Sequence, residues 1–395
     1  MVALRRLLQL IPTLIGVSLL TFFLMRLAPG DPVRLMLGAE ASPEAVEELR
    51  KQLGFDKPLP VQYLTYMGLN FFSGKEANLS EAAESGAKAV RVAAGHPILR
   101  NDTLVLAGPE GEIRRRVTSA TKDGLLGLDQ PLPAPVAAGS PVSVPWKRGV
   151  LQGNFGTSIV REGPVLKEIM ARLPATIELA GAAMCVAIFI GLLIGTLSSV
   201  YPGSWFENIT RLFVFVFLAM PGFWLALELI IIFARTLEWF PPSGRGDSGM
   251  QDTLRHLVLP ALSLGLGTGA FLSRILRSSM VQVLGQDYVR TARAKGLGKF
   301  TVVMKHALKN AMIPFVTVAG LSMGSLLGGS VIVESVFNWP GVGKLFVDSI
   351  LQRDLPVTMG CVLILATIFV VVNLLVDLLY TVLDPRIRLE GGGGR

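Results

Sequence analysis

The sequence is poor in the side chains on which most chemistry depends. It has 2 cysteines and 3 histidines in 395 residues. Cys185 and Cys361 both fall in apolar runs, which excludes a disulfide framework and predicts two packing residues. His96, His256 and His306 are far apart in sequence without ligand spacing, so no metal site is expected. No Gly-x-x-x-x-Gly-Lys-[Ser/Thr] loop occurs: Gly74-Lys75, Gly298-Lys299 and Gly343-Lys344 are followed by Glu, Phe and Leu. None of these supplies the hydroxyl that holds a nucleotide's Mg²⁺. No cofactor is expected on this chain. Charge is sparse as well, at 17% against 51% hydrophobic, with a mean hydropathy of +0.54.

What the chain has instead is long apolar runs. Six stand out, at about Leu7–Leu27, Ile177–Val200, Ile209–Phe233, Leu257–Leu276, Ala311–Val333 and Met359–Leu383. About 20 residues of helix cross the ~30 Å of hydrocarbon, and helices satisfy their own backbone groups in lipid. The period-2 alternation of barrel strands is absent. The expected fold class is an all-α integral membrane protein with six transmembrane helices. The start, Met-Val-Ala-Leu-Arg-Arg before Leu7–Met25, has the form of a secretory signal. Its apolar core is too long and Arg26-Leu-Ala-Pro-Gly is a poor cleavage site, so residues 1–28 are expected to be an uncleaved first span.

Orientation follows from the short connections. Arg5 and Arg6 precede the first span, and Arg386 and Arg388 follow the last. The loop between spans four and five holds Arg277, Arg290, Arg293, Lys295, Lys299, Lys305 and Lys309. With an even span count these segments share one side, which the positive-inside rule makes cytoplasmic: N-in/C-in. The net charge of +8 has this cause, and nucleic acid is not expected as a partner.

Residues 29–176 then form an extracytoplasmic segment. Ser42-Pro43-Glu44 opens a helix with Val46, Leu49 and Leu53 on one face and a stop at Gly54. A second helix is expected around Val61–Phe72. Residues ~75–148 are richer in Gly, Pro and charge. Lys88–Val92, Thr103–Leu106, Glu112–Thr118 and Val142–Val144 read as short strands, giving a small β-rich external insert. The other reading is an unstructured loop. The membrane core is expected over 177–388, and 389–395, with four consecutive glycines, reads as a flexible tail.

The most informative stretch is Gly285-Gln-Asp-Tyr-Val-Arg-Thr-Ala-Arg-Ala-Lys-Gly296, continuing to His306-Ala-Leu-Lys-Asn-Ala-Met-Ile-Pro314. It predicts a short polar helix at ~286–299 outside the bilayer, whose small Ala292 and Ala294 would let it press into a groove on a partner. A solvated basic connector fits the residue types equally well.

This stretch resembles the coupling-helix motif of ABC-transporter permeases, whose general form is Glu-Ala-Ala, three residues, then Gly. Ala292 and Gly296 match, while Arg290 and Thr291 replace Glu and Ala. That departure is similar to the wording of the dipeptide, oligopeptide and nickel branch. Further matches are Ala28-Pro-Gly-Asp-Pro32, Gly153-Asn-Phe-Gly156, Leu173-Pro-Ala-Thr-Ile-Glu-Leu179, Glu334-Ser-Val-Phe-Asn-Trp-Pro-Gly-Val-Gly343, Arg353-Asp-Leu-Pro356 and Asp384-Pro-Arg386. Only the insert and the tail lack counterparts.

The resemblance implies a type-I ABC importer permease fold and a chain that is the first of two paired permeases. It implies contact with the ATPase through Asp287, Tyr288, Arg290, Thr291, Ala292, Arg293, Ala294, Lys295 and Gly296. The implied partners are a homologous second permease, two ATP-binding subunits that carry the ATP and Mg, an extracytoplasmic solute-binding protein, and membrane lipid. The implied cargo is a peptide, most readily a dipeptide, with nickel, glutathione or an oligosaccharide as alternatives. Glu334, Trp339, Pro340, Gly341, Gly343, Arg353 and Asp354 form its external motif.

Candidates for lining a path are Pro221, Glu228, Gly265, Gly269 and Ser322, because helix-weakening residues at membrane depth are tolerated beside protein or water. Ordinary helix packing explains the glycines as well. Gly320-Leu-Ser322-Met-Gly324 has the form of a nucleophile elbow, but no strand precedes it and no acid is expected beside His256. Gly320, Gly324 and Gly328 read better as a packing face. Apart from Glu178 and Glu228 the spans carry almost no acid, which argues against an ion-coupled transporter or channel.

Overall fold

A computed structural model describes residues 12–23, 42–53, 56, 58–69, 75–93, 98, 103–108, 111–121, 123–144, 149–161 and 163–383. The expected features at Arg5, Arg6, Ala28–Pro32, Phe71, Phe72, Asp384–Arg388 and the glycine tail lie outside these residues. The chain divides into two compact units, one holding the described residues of 28–156 and the other those of 1–27 and 157–395.

In the first unit, α2 is Pro43–Leu53, where the Ser42 hydroxyl accepts the Ala45 N–H at 3.2 Å and so caps the opening turn. Helix α3, Leu59–Met67, stops at Gly68, whose φ of 78° gives the left-handed turn that ends it. Six strands follow: β1 Lys75–Asn78, β2 Ala89–Arg91, β3 Thr103–Gly108, β4 Gly111–Ala120, β5 Leu125–Leu128 and β6 Pro141–Val144. They form one sheet in the order β1-β6-β3-β4-β5-β2, with every pair antiparallel. Alternation explains the folding: Leu104 and Leu106 of β3 are fully buried, and Val117, Leu126 and Val142 join them from neighbouring strands. The sequence reading missed β1 and β5. β1 is Lys-Glu-Ala-Asn, with no β-branched residue, and it pairs through its backbone with β6 from Lys75↔Val144 to Asn78↔Pro141. The ends of the insert are tied again by Gln152, which receives the Gly149 N–H at 2.8 Å and donates to the Gly68 carbonyl at 3.2 Å.

In the second unit, α1 covers Pro12–Phe23, and the remainder of the expected 7–27 lies outside the described residues. Helix α4, Val165–Val200, begins well before Ile177. Its first turns are charged but paired, with Glu168 2.8 Å from Arg161 and 3.8 Å from Arg172. The third expected span is broken. Helix α5, Trp205–Ala219, bends by 108° into α6, Gly222–Leu229, which continues as a π-helix over Ile230–Thr236. Pro221 sits at the break in extended conformation, without an N–H for the helical ladder. Then come α7, Met250–Leu284; α8, Asp287–Ala294; α9, Lys299–Val336 with a π-segment at Val302–Leu308; α10, Val342–Leu351; and α11, Leu355–Leu383. Among the described residues four helices are long and apolar enough to span a membrane, or five if α5 and α6 make one broken span.

The α4–α7 pair is the spine of this unit, and glycines from both helices set its closeness. A Cβ on Gly191 would lie 2.9 Å from Leu272 Cβ, and one on Gly195 2.8 Å from Leu276 Cβ. Reciprocally, a Cβ on Gly265 would lie 2.7 Å from Val186 Cβ, and one on Gly269 3.0 Å from Ile190 Cβ. Backbones approach this closely in lipid because dispersion and small residues replace the hydrophobic effect as glue. Gly320 and Gly324 similarly meet Val376 and Phe369 of α11, whereas nothing lies within 4 Å of the Gly328 position. The expected three-glycine face is thus a two-glycine face. Cys361 is buried as expected, whereas Cys185 is exposed on α4.

Candidate functional site

The loop between α7 and α9 is built on a three-residue apolar foot. Val289 and Ala292 of α8 are buried with Val302 of α9, against Val283 and Leu284 at the end of α7. The i, i+3 spacing of Val289 and Ala292 puts both on the inner face. Ala292 is therefore part of the chain's own core, and the expectation that it presents a small outward surface is corrected. The outward face consists of Asp287, Tyr288, Arg290, Thr291, Arg293, Ala294 and Lys295, all exposed. Local bonds hold the helix: Thr291 Oγ1 donates to the Asp287 carbonyl at 3.0 Å, and Arg290 lies 3.4 Å from the Asp287 carboxylate. Asn310 of α9 donates to the Tyr288 hydroxyl at 2.8 Å. Gly296, with φ of 78°, turns the chain toward α9, and the Leu297 N–H returns to the Ala292 carbonyl at 3.3 Å. The result is a short polar helix fixed as a rigid projection.

Toward the other end of α4, two distant motifs are joined. Trp339 is fully buried among α4, α6, α7 and α9, and its Nε1–H donates to the Ala175 carbonyl at 2.8 Å. The Val342 N–H donates to Thr176 Oγ1 at 2.8 Å. Glu334, also fully buried, accepts the Lys344 N–H at 3.0 Å near the start of α10. Its carboxylate fills the space beside Gly341 and Gly343, where any Cβ would collide with it. Asn338, with φ of 52°, makes the turn, and Pro340 is exposed after it. The Leu173–Leu179 and Glu334–Gly343 motifs are thus two halves of one joint.

Arg353 and Asp354 serve a second joint. Arg353 is exposed and takes φ of 55° between α10 and α11. Asp354 is fully buried; it receives the Ser158 hydroxyl and the Ile159 and Val160 N–H groups, at 3.3 and 3.4 Å for the two backbone donors. The segment leading into α4 is held to α11 in this way.

The sequence reading missed Ser158 and Glu207. Glu207, near the start of α5, is 2% exposed and pairs with Arg277 of α7 and with Arg211 at 2.8 Å. It also accepts the Gly203 N–H at 2.7 Å, while Ser204 caps the helix by accepting the Glu207 N–H at 3.2 Å. The signal was present: Ser204-x-x-Glu207 before an apolar run has the form of a capping box. Glu207 and Glu334 lie just outside the expected apolar runs 209–233 and 311–333 but within helices α5 and α9, and both are deeply buried.

The five path candidates are not brought together. Pro221 marks the bend, Glu228 is half-buried on α6, and Gly265 and Gly269 are packed against α4. Ser322 Oγ donates to the Val318 carbonyl at 2.8 Å, one turn back on its own helix. His256 does have an acid beside it, Asp252 at 3.4 Å, contrary to expectation. Glu178 pairs with Arg245 at 2.7 Å. A cleft of about 660 Å³ lies where α4 and α7 end, beside Arg293 and Lys299. None of the five candidates lines it.

Comparison with known proteins agrees with this architecture. The family model for the binding-protein-dependent transport system inner membrane component matches residues 187–389, and the model for the N-terminal part of such components matches 1–87. The dipeptide transport system permease protein DppB of Alkalihalophilus pseudofirmus is 35% identical over 98% of both chains. The glutathione transport system permease protein GsiC of Salmonella typhi is 36% identical, again over 98% of both. The oligopeptide transport system permease protein AppB of Bacillus subtilis is 36% identical over 97% of this chain and 98% of its own. The chain is a multi-pass protein of the bacterial inner membrane and belongs to the family of binding-protein-dependent transport system inner membrane components.

Proposed function

We propose that this chain forms half of the translocation pathway of an ATP-driven importer for peptides, most readily dipeptides. The single observation that carries the coupling part is α8. It is an exposed polar helix, rigidly footed by Val289 and Ala292, on a chain with no nucleotide loop of its own. ATP and Mg are held by two separate ATP-binding subunits, and this chain binds no cofactor. Their closure pushes on the outward face, from Asp287 to Gly296. The foot transmits that push to the ends of α7 and α9. A homologous second permease completes the path, and an extracytoplasmic solute-binding protein delivers the cargo. Six spans with both termini and α8 in the cytoplasm fit this arrangement, α5 and α6 together making the third. Coupling of this kind needs one two-state element biased from both ends.

The peptide cargo is supported by the names of the DppB and AppB relatives. The GsiC relative makes glutathione, itself a tripeptide, the second reading. Nickel and oligosaccharide remain the further alternatives of the branch.

The test is reconstitution with the partner subunits in proteoliposomes. ATP-dependent uptake of a labelled dipeptide is measured for the wild type and for Ala294→Trp, which enlarges the outward face without entering the core. Loss of uptake with normal insertion supports the reading. Undiminished uptake by the variant, or solute movement by this chain alone without ATP, overturns it.

A further inference from the structure

The cleft at the ends of α4 and α7 has the makeup of a site for an amphiphilic anion. Its walls are apolar, with Val200, Pro202, Val281 and Leu284 among them, and Arg293 and Lys299 are the charged side chains on its lining. No acidic residue lines it. A water-filled crevice has no need of that much apolar wall, and a peptide segment has no need of two unbalanced cations.

Its depth is marked independently. Both α4 and α7 are apolar enough to span a membrane, and the cleft is formed where each ends, at Val200 and Leu284. Tyr201 and Trp205, 51% and 70% exposed, flank Pro202 in the adjoining turn. Exposed Trp and Tyr at the end of a span collect at headgroup level. Lys299 is held there, its Nζ 4.3 Å from the centroid of the Tyr201 ring. Basic pockets between spans at the membrane surface take phospholipid headgroups.

We propose that this cleft binds an anionic phospholipid, its phosphate between Arg293 and Lys299 and its first chain carbons along Val200, Val281 and Leu284. Because Arg293 belongs to α8 while the walls come from the ends of α4 and α7 and the start of α9, the lipid bridges the projecting helix to the membrane-embedded body. The inference rests on α4 and α7 being spans and is independent of what the protein transports.

The full chain in detergent is examined by native mass spectrometry with phosphatidylglycerol and with phosphatidylcholine of the same acyl chains. The wild type is expected to retain phosphatidylglycerol preferentially. Each cation removed, as Lys299→Gln or Arg293→Gln, is expected to lower the preference about fivefold, and the double variant about 25-fold. Val281→Glu, which places a carboxylate on the wall, also lowers it, whereas Lys305→Gln, an exposed cation outside the cleft, leaves it unchanged. Equal retention of the two lipids, or a double variant with the full preference, overturns the proposal. So does displacement of the lipid by equimolar inorganic phosphate, which would make the site one for free phosphate.

Discussion

Trp339 donates its indole N–H to the carbonyl of Ala175 at 2.8 Å, and this bond joins the turn before α10 to the early part of α4. Both groups are buried, so neither can find water when the bond is lost. Trp339→Phe is expected to destabilise the chain by about 1–3 kcal/mol, and Trp339→Ala by about 3–5 kcal/mol. Thermal unfolding in detergent measures both. Thr176→Val, which strands the Val342 N–H, should resemble the phenylalanine variant.

Gly341 and Gly343 both face the Glu334 carboxylate, but they differ in what else they meet. A Cβ at Gly343 lies 2.6 Å from Val331 Cα, which is backbone, while the three atoms nearest a Cβ at Gly341 all belong to the end of the Glu334 side chain. Gly343→Ala should therefore lower the unfolding temperature more than Gly341→Ala. Equal shifts would show that the backbone of α9 yields there.

Glu207 is 2% exposed and serves two arginines. Glu207→Gln takes the counter-charge from Arg277, which is itself 33% exposed, and is expected to cost about 1–3 kcal/mol. Arg211 is 57% exposed, so Arg211→Ala is expected to cost about 1 kcal/mol or less. The contrast is read from denaturation curves of the two single variants.

On α8, inner and outer positions should separate stability from coupling. Ala292→Leu overfills the foot and is expected to cost about 1–3 kcal/mol. Ala294→Leu lies on the exposed face and should leave the unfolding temperature within a degree or so, because surface changes rarely exceed ~0.5 kcal/mol. Only the second variant tests docking free of a folding defect, through ATPase stimulation in the assembled complex.

Ser322 returns its hydroxyl to the Val318 carbonyl. Ser322→Ala is therefore expected to preserve uptake and stability alike, and a large loss of either would give the hydroxyl a role beyond its own helix.

The spans were legible because apolar length is written in consecutive residues. The break at Pro221 was visible as a proline, but its 108° angle was not, since that depends on what each leg packs against. β1 was hidden because Lys75–Asn78 is a strand through its backbone pairing with β6 rather than through its side chains. The position of α8 could be read from its polarity, while the inward turn of Ala292 required Val302, ten residues on, to define the inner face. The joint at Trp339 was the least legible. Its halves are each recognisable as motifs, yet no local pattern says that residues 175 and 339 touch.

The paired stem of the insert has its own consequence. Lys75 lies opposite Val144, and Gln152 clasps Gly68 just outside them, so the polypeptide leaves and returns at one point. A segment anchored in this way is topologically a side branch. It can be excised and the gap closed with a short turn, or replaced by a fluorescent protein of similarly adjacent ends, without rerouting the chain on either side.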